Sequence, residues 1–401
     1  MKRIVIVSAR RTPFGRFRGA LAELSPVQLA VTAGEAALNG IDRSLVDQVI
    51  LGNVLSGGHG MNVARQVAVH LGLRIETAAT TVNMMCGSGM QSALMAVSAI
   101  RAGEARAILA GGTESMSQSA LLMPRPAKGQ QPDPAASIDS MQRDGLVDSF
   151  SHRHMGEQAE ALAIEYAISR VQQDRFAARS QHLFGAAAAR GDFADELVPA
   201  GSLTIDQHPR PTITTAELAL LPTVFQNASG LGTVTAGNAS GINDGAAVLL
   251  LAEQEFAASN GWPVLAEWVD GVVVGCDPNR MGLGPVHAIR ALMARRGIDW
   301  ASIDTLEINE AFAAQVLACL KELHLSLPDD GGPHFVTTTG HPIAFNRSGG
   351  AIAIGHPLAA SGARLLTHLA WDISRGRSRS TIGSLCIGGG MGIAALLKAM
   401  E

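Results

Sequence analysis

The feature that most limits how this chain can fold is a set of short apolar runs that are continuous rather than alternating. These runs lie between alanine-rich stretches with helical spacing, at residues 4–7, 48–55, 107–110, 247–251, 271–274, 305–308, 384–387 and 393–397. A strand with one face in water alternates apolar and polar residues, so continuous runs indicate strands buried on both faces. The chain is therefore predicted to be an α/β protein built in layers.

One predicted helix has almost no charge on any side. Its apolar residues follow helical spacing, and the opposite face carries only Ser and Ala; the apolar positions are Met90, Ala93, Leu94, Val97 and Ile100. A helix that is apolar or small all round belongs in the interior of a protein. We expect this helix to lie between two sheets.

The middle of the chain differs in composition from both ends. Five prolines and glycines cluster between Pro124 and Pro134, and helical stretches follow. We therefore predict a loop domain over residues 118–237, an N-terminal core half over 1–117 and 238–262, and a C-terminal core half over 263–401. Each half contains a reactive residue, Cys86 or His356, where a small-residue helix begins. This pattern indicates an internal repeat, although two unrelated Ala/Gly-rich helices would look alike.

Composition excludes several classes of protein. The 401 residues include 31 Lys and Arg against 35 Asp and Glu, a net charge of −4, so nucleic acid is not an expected partner. No apolar run reaches the length of about 18 residues that a membrane span needs. The run at residues 4–7 is too short for a signal peptide and indicates a first strand. The four cysteines have no C-x-x-C spacing, which argues against disulfides and zinc and favours a cytoplasmic protein.

Two cysteines lie in glycine-rich motifs that suit chemistry. Cys86 occurs in Val-Asn-Met-Met-Cys-Gly-Ser-Gly-Met, where a helix beginning beside it would favour the thiolate. A free cysteine is as often a small core residue. Cys386 begins Cys-Ile-Gly-Gly-Gly-Met-Gly, whose unshielded N–H groups could form an oxyanion hole, or only a turn between strands. Cys319, within a predicted helix, is expected to be a core residue.

Two further motifs contain candidate polar groups. His356 lies between Gly355 and Pro357, where the backbone must turn and an imidazole could enter a cleft, although a lone loop histidine is usually just solvated. Asn309 and Glu310 follow the run at 305–308 and open a helix. They could be a helix cap, or Asn309 could hold a water molecule or a carbonyl group.

Together, the motifs around Cys86, Asn309, His356 and Cys386 resemble the thiolase family. The resemblance covers nearly the whole chain, and further matching segments include Gly-Gly-Thr-Glu-Ser-Met-Ser at 111–117 and Thr-Ala-Gly-Asn-Ala-Ser-Gly-Ile-Asn-Asp-Gly-Ala-Ala at 235–247. The family's fold is two similar βαβαβαββ halves in five αβαβα layers with an inserted loop domain. The resemblance thus implies this fold for the chain.

The resemblance also implies catalytic roles. Cys86 is similar to the nucleophile that carries the acyl group, and His356 to the base that activates it. Cys386 is similar to the second cysteine, which removes the α-proton of the incoming acyl-CoA. Asn309, through a water molecule, and His356 would stabilise the enolate, whereas the N–H groups of Cys86 and Gly388 would hold the oxygen of the acyl-cysteine.

Substrate contacts follow by the same resemblance. Coenzyme A would be a substrate, with no cofactor and no metal, and its pantetheine arm would lie along Ala236, Ala239 and Ser240. The loop-domain side would be lined by Leu146, His154 and Met155, and Phe312 would cover the acyl pocket. Met155 is the bulky residue expected at the end of that pocket. The implied activity is condensation of two acetyl-CoA to acetoacetyl-CoA, or the reverse thiolysis, in a homodimer or homotetramer.

Two departures from the family pattern concern substrate binding and the site's surroundings. Where relatives have Leu-Arg-Pro-x-Phe, this chain has Leu-Leu-Pro-Thr-Val-Phe at 220–225. Leu221 stands in the arginine's place, so the resemblance does not imply that arginine's contact to the nucleotide end of coenzyme A here. The segment 324–345 is longer than in relatives, and it could be a lid, an oligomer contact or a loop.

Three alternative functions have different sequence requirements. A ketoacyl-ACP synthase shares the fold but needs a Cys-His-His set, which the Cys386 motif argues against. A non-catalytic lipid- or CoA-binding thiolase-like protein would usually lack Cys86, His356 or Cys386, and all three are present. A 3-ketoacyl-CoA thiolase for longer chains remains an alternative within the family.

Overall fold

A computed structural model of the protein describes residues 2–225, 232–327 and 341–400, together with the backbone of residues 334–336. The strands are β1 (Ile4–Arg11), β2 (Gly15–Arg16), β3 (Gln48–Gly52), β4 (Ala78–Val82), β5 (Ala107–Ser115), β6 (Leu121–Leu122), β7 (Ile138–Asp139), β8 (Asn243–Glu253), β9 (Ala266–Gly275), β10 (Thr305–Ile308), β11 (His334–Val336), β12 (Pro342–Phe345), β13 (Ser380–Ile387) and β14 (Met391–Lys398).

The helices are α1 (Pro26–Ala37), α2 (Val63–His70), α3 (Ser88–Ala102), α4 (Met155–Glu165), α5 (Arg170–Ala189), α6 (Thr215–Ala219), α7 (Gln254–Ser259), α8 (Gly284–Arg296), α9 (Ala313–Glu322), α10 (Ala351–Ile354) and α11 (Leu358–Ser374). Short helical turns at Met116–Gln118, Met141–Leu146 and Pro278–Leu283 lie close to the functional site described below.

The two core halves have the same strand topology. In the N-terminal half the strands are ordered β1-β8-β5-β3-β4, and in the C-terminal half β9-β14-β13-β10-β12. In each half the strands nearest the junction pair antiparallel. The second strand in chain order of each set, β3 or β10, pairs in parallel with its neighbours on both sides. Three residue pairs between β1 and β9 join the two sets into one continuous sheet. The internal repeat predicted from the two helix starts is thus present in the topology.

The core is layered, and two buried helices form the middle layer. Side chains of α3 and α11 pack between strands of the two halves. Helices α1 and α2 cover the outer face of the N-terminal strands, and α8 and α9 cover that of the C-terminal strands. This is the predicted αβαβα arrangement, and the uncharged helix at residues 90–100 occupies its middle layer.

Glycines permit the close approach of α3 and α11. A Cβ atom at Gly89 would lie 2.5 Å from the carbonyl oxygen of Ala359, and one at Gly362 would lie 2.7 Å from the backbone nitrogen of Met90. Such distances are shorter than non-bonded atoms tolerate, so both positions require glycine. The contact brings the N-terminus of α3, next to Cys86, against the N-terminus of α11, next to His356.

Each predicted apolar run forms a strand, but β4 was missed. Its sequence, Ala-Ala-Thr-Thr-Val, contains no apolar run because the strand lies at the edge of the sheet and is only partly buried. Cys319 is fully buried in α9, as predicted. Of the long segment 324–345, residues 328–333 and 337–340 lie outside the described residues, and the end of the segment forms β12.

Buried charges tie the central segment to both halves. Arg11 of β1 donates to Glu196 at 2.7 Å and to Asp206 at 2.7 Å, and all three side chains are almost fully buried. Glu196 also contacts His368 of α11 at 3.0 Å. Although burial alone would raise the pKa of Glu196, Arg11 and His368 lower it to about 2. These ion pairs therefore hold the segment around residues 196–206 in place above the core. Removing one partner would leave the other buried charge uncompensated.

Candidate active site

A cavity of about 500 Å³ lies where the central segment meets both halves. Its wall includes all of the predicted site residues except Asn309, and these wall residues are Cys86, Leu146, His154, Met155, Ala236, Ala239, Ser240, Phe312, His356, Cys386 and Gly388. Residues more than 300 positions apart in the chain thus share one space. Most of its other wall positions are apolar, including Phe17, Met116, Ile242 and Met281.

Cys86 is held in a tight turn between β4 and α3. The preceding residue, Met85, has φ of +48°, a left-handed conformation that costs a non-glycine residue free energy. Ser88 fixes the turn because its Oγ accepts from the Met84 N–H at 2.8 Å and donates to the Met85 carbonyl at 2.7 Å. The helix begins at Ser88, so Cys86 lies just before its N-terminus.

The thiol of Cys86 is protonated in the free protein. Burial raises its pKa to about 11, although the backbone N–H groups of Gly388 and of Cys86 itself donate toward the sulfur and lower it. The N–H groups at this turn thus favour the thiolate, as expected, but the loss of hydration on burial outweighs them. A base must take the thiol proton before the sulfur can attack.

His356, on the same cavity wall, has a ring nitrogen that is free to act as that base. Its Nδ1 lies 2.5 Å from the Oγ of Ser361, and that hydroxyl donates its only proton to the Pro357 carbonyl at 3.0 Å. The hydroxyl must therefore accept at the other contact, so Nδ1 carries the imidazole proton. Nε2 is left with a lone pair, and it is buried with no hydrogen-bond partner among the described residues.

The backbone of the His356 loop is fixed from the N-terminal half. Asn243 of β8 accepts from the His356 N–H at 3.0 Å and donates to the Gly15 carbonyl at 2.9 Å. Gly355 has φ of +110°, and a Cβ atom there would lie 2.3 Å from the Asn243 side chain. Glycine is therefore required before His356, and Asn243 determines where the imidazole enters the cavity.

Burial, with a smaller effect of Arg364, lowers the pKa of His356 to about 4. A lowered pKa keeps the imidazole neutral, and therefore able to accept a proton, until the pH falls to that value. We expect the acid limb of the pH profile for acylation of Cys86 to lie near pH 4 to 5 rather than near 6.5. Rapid-quench measurement of acetyl transfer from acetyl-CoA between pH 4 and 9 tests this, and a midpoint at 6.5 or above would contradict it.

Cys386 is the penultimate residue of β13 and lines the same cavity as Cys86. It is almost fully buried, and burial, followed by the neighbouring Cys86, raises the pKa of its thiol well above the usual value. The chain then turns through Gly389 and Gly390, both with φ of +83°, into β14. This turn presents the N–H of Gly388 to the Cys86 sulfur. The glycine-rich motif is both a turn between strands and a source of an N–H donor.

Asn309 is buried close in sequence to Ala311 and Phe312 of the cavity wall, but it is not itself one of the lining residues. It is 1% exposed, and neither its Oδ1 nor its Nδ2 has a hydrogen-bond partner among the described residues. The next residue, Glu310, is anchored by Ser180 at 2.6 Å and Asn346 at 2.8 Å. A buried amide without a protein partner is suited to an ordered water molecule. Ala311 and Phe312, which follow Asn309 and Glu310 in the sequence, are the nearest residues along the chain that line the cavity.

The remaining predicted contacts form one side of the cavity. Ser240 donates its N–H to Ala311 at 2.9 Å, and Ala239 forms a β-bridge with Phe312. His154 caps α4, since its Nδ1 accepts from the Gly156 N–H at 3.0 Å. Its ring stacks on Phe225 with centroids 4.6 Å apart. Burial lowers the pKa of His154, which favours the neutral ring on this apolar wall.

Sequence reasoning missed the residues that position the reactive groups. Ser361 and Asn243 set the tautomer and the backbone of His356. Glu114 of β5 is fully buried and accepts from the N–H groups of Val54, Leu55 and Ala359 at 3.0 to 3.1 Å. Because Ala359 lies in the first turn of α11, Glu114 joins this turn to the N-terminal half. Ser361, Asn243 and Glu114 all lie within segments that match the family pattern, but only their contacts in the structure identify their roles.

Nothing among the described residues forms a metal site. Those residues contain no group of three or more His, Cys, Asp or Glu side chains placed to hold a metal ion. Over the same part of the chain, none of the helices combines the length and the apolar character required to cross a membrane.

A thiol, a neutral imidazole and backbone N–H donors in one apolar cavity define a site for nucleophilic cysteine chemistry. Comparison with known proteins agrees with this. Residues 4–255 match the family profile "Thiolase, N-terminal domain", and residues 262–399 match "Thiolase, C-terminal domain". The chain belongs to the thiolase family of acyltransferases.

Relatives within the family carry two different names. The chain is 41% identical to the probable acetyl-CoA acetyltransferase of Escherichia coli, covering 100% of both chains. It is 37% identical to the mitochondrial 3-ketoacyl-CoA thiolase of Bos taurus over 99% of this chain and 98% of the relative. The crystal structure of the acetyl-CoA acetyltransferase of Bacillus anthracis superimposes with a TM-score of 0.91 at 37% identity, covering 100% and 99% of the two chains.

The crystal structure of human mitochondrial 3-ketoacyl-CoA thiolase in complex with CoA superimposes with a TM-score of 0.90 at 37% identity. It covers 100% of this chain and 98% of the human one. The predicted fold is thus confirmed, whereas the names of the relatives leave two classes of substrate.

Proposed function

We propose that the protein is an acetyl-CoA C-acyltransferase, which condenses two acetyl-CoA molecules to acetoacetyl-CoA or cleaves acetoacetyl-CoA with coenzyme A. The observation that carries this proposal is the convergence of Cys86, His356 and Cys386 on one cavity that also receives the Gly388 N–H. A single nucleophile and base would suffice for acyl transfer to water or an alcohol. A second thiol at the same site suits a reaction that must also move a proton at carbon.

The first half-reaction transfers the acetyl group to Cys86. Nε2 of His356 takes the thiol proton as the sulfur attacks the thioester carbonyl, and the proton then goes to the departing coenzyme A sulfur. One thioester is exchanged for another, so little free energy is lost. The N–H groups of Gly388 and Cys86, which face the sulfur in the free protein, would hold the carbonyl oxygen as charge develops on it.

The second half-reaction forms the carbon–carbon bond. Cys386, as the thiolate, removes an α-proton from the second acetyl-CoA, and the resulting enolate attacks the acetyl-cysteine. The bond between the acetyl carbon and the Cys86 sulfur breaks, and the Cys86 thiolate takes the proton that Cys386 removed, which restores the Cys386 thiolate. His356, and Asn309 acting through a water molecule, would stabilise the enolate oxygen.

An assay of CoA-dependent cleavage of acetoacetyl-CoA tests the proposed function directly. The enolate absorbance of acetoacetyl-CoA should fall, and two acetyl-CoA should appear for each substrate consumed. Binding of coenzyme A without turnover would instead support the non-catalytic thiolase-like alternative.

We propose that the preferred acyl chain is short, because Met155 packs in one apolar cluster with Cys386, Met281 and Phe312 and would close the acyl pocket there. Each methylene that fits an apolar pocket contributes about 0.8 kcal/mol, whereas one that does not fit is rejected by overpacking. We expect kcat/KM to fall as 3-ketoacyl-CoA substrates lengthen from four to six and eight carbons.

The 3-ketoacyl-CoA thiolase relatives make longer chains the second candidate. The variant Met155→Ala tests whether this side chain sets the chain-length preference. It should improve turnover of the eight-carbon substrate relative to the four-carbon one. A rise of kcat/KM with chain length in the unaltered protein would show the short-chain assignment to be wrong.

Assembly, location and the division into domains stay predictions. A homodimer or homotetramer is consistent with β4, a partly exposed strand at the edge of the sheet, since such an edge is a template for pairing with another chain. The cytoplasmic location and the boundaries at residues 117/118, 237/238 and 262/263 rest on the sequence.

A further inference from the structure

Two arginines line the outer part of the cavity without a carboxylate partner. Arg16 and Arg210 are both exposed, whereas Cys386 and His356 at the inner part are buried. Arg16 has one weak contact, to the His208 carbonyl at 3.5 Å. Over the described residues, neither guanidinium forms an ion pair, and the cavity wall contains no Asp or Glu.

Unlike the guanidinium groups, the backbone that carries these arginines is firmly held. Arg16 lies in β2, pairs with Asn243 of β8 and donates its N–H to Gln207 at 3.0 Å. The N–H of Arg210 donates to Gln181 at 2.6 Å. Asp206, a few residues before Arg210, is held by the buried Arg11. A fixed backbone with an unpaired cationic end is the arrangement expected of a preformed anion site.

His208 connects this pair to the catalytic wall. Its ring packs on Gly241, where a Cβ atom would lie 2.3 Å from the His208 Cε1, and Gly241 follows Ser240. Both arginines, after burial, lower the pKa of His208 to about 4, so all three groups are close together and the ring is neutral. The His208 Nδ1 is buried with no hydrogen-bond partner over the described residues. From its inner to its outer part, the cavity is therefore lined by the two thiols, then by apolar side chains, and then by the two arginines.

The missing family arginine does not leave a gap at this position. Leu221, which stands in its place, packs against the hydrophobic core, and its Cδ1 would lie 2.5 Å from a Cβ atom at Gly237. A cation for the nucleotide end of a ligand must therefore come from elsewhere. Arg16 and Arg210, from two other segments, are the arginines that line the cavity.

We propose that Arg16 and Arg210 bind the phosphate groups of coenzyme A, replacing the arginine that Leu221 displaces. This inference rests on the proposed function for the identity of the ligand, and it assigns the polyanionic end of that ligand to a named site. Guanidinium forks match phosphate oxygens in geometry as well as in charge. The arginines thereby favour carriers with a phosphorylated nucleotide over small thiols.

Binding measured by calorimetry tests the assignment without relying on turnover. The proteins are the unaltered chain, Arg16→Gln, Arg210→Gln and the matched control Arg18→Gln, an exposed arginine on the same segment that lies over Phe17 outside the cavity wall. We expect the Kd for coenzyme A to rise about tenfold in each cavity variant, and to change less than twofold in the control. Arg210→Lys should recover part of the loss.

Shorter ligands separate the phosphate contacts. Pantetheine should bind the cavity variants and the unaltered chain equally, and a variant whose arginine holds the 3′-phosphate should lose nothing with dephospho-CoA. Added KCl should weaken coenzyme A binding more in the unaltered chain than in the double variant. The proposal is overturned if both cavity variants bind coenzyme A within twofold of Arg18→Gln. Arginine-dependent binding without cleavage of acetoacetyl-CoA would support this site and refute the proposed reaction instead.

Discussion

Replacing Cys86 by alanine is expected to lower kcat by about 10⁴-fold or more in both directions, because Cys386, the other thiol in the cavity, is needed to move the α-proton and cannot also carry the acyl unit. In the unaltered protein, brief incubation with acetyl-CoA should place one acetyl group on the peptide containing Cys86, and mass spectrometry detects it. His356→Ala should cause a loss of similar size. The double variant should be little worse than either single one, since nucleophile and base act as a unit.

Cys276→Ala is the matched control for the nucleophile. Cys276 is a free, partly buried cysteine at the end of β9, and it does not line the cavity. This variant should keep its activity and its acetyl adduct. An adduct found only on Cys276 or Cys319, or substantial turnover by Cys86→Ala, would show that the nucleophile is misassigned.

The fold could be predicted from the sequence because its signals are local. A run such as residues 247–251 is apolar at every position, and this occurs in strands covered on both faces. The uncharged face of α3 similarly predicted the middle layer. β4 could not be predicted because an edge strand buries too little surface to need apolar residues. Its position in the sheet also depends on parallel pairing with β3. Parallel pairing joins distant segments and leaves no local pattern.

The site could be predicted in its residue types but not in its electrostatics. The glycines around Cys86 correctly indicated a turn, yet the direction of the thiol's pKa depends on how much water the assembled cavity excludes. The tautomer of His356 depends on Ser361, one helical turn further on, and on where that hydroxyl sends its proton. Asn309 is not among the residues that line the cavity, and its role through a water molecule stays a prediction, because the partner of its buried amide cannot be read from sequence.

Replacing Cys386 by alanine is expected to separate the two half-reactions. Exchange of label between coenzyme A and acetyl-CoA needs only Cys86 and His356, so it should continue at close to the unaltered rate. Condensation and thiolysis should fall by more than the roughly 10²–10⁴-fold that one acid–base group contributes, because the Cys386 thiol exchanges the α-proton at a buried site with no substitute. Its almost complete burial makes replacement by water from the solvent inefficient.

Cys319→Ala provides the comparison for Cys386, because it removes a buried thiol that does not line the cavity. It should leave exchange and condensation in their original ratio, and any effect should appear in the thermal midpoint Tm alone. Cys386→Ala should instead change that ratio by several orders of magnitude while the acetyl adduct on Cys86 persists. If Cys386→Ala loses exchange and condensation in parallel, its role is to maintain the Cys86 environment, and if it keeps near-normal condensation, another group moves the proton. Either result would refute the two-cysteine assignment, whereas a selective loss of condensation requires a proton carrier distinct from the nucleophile.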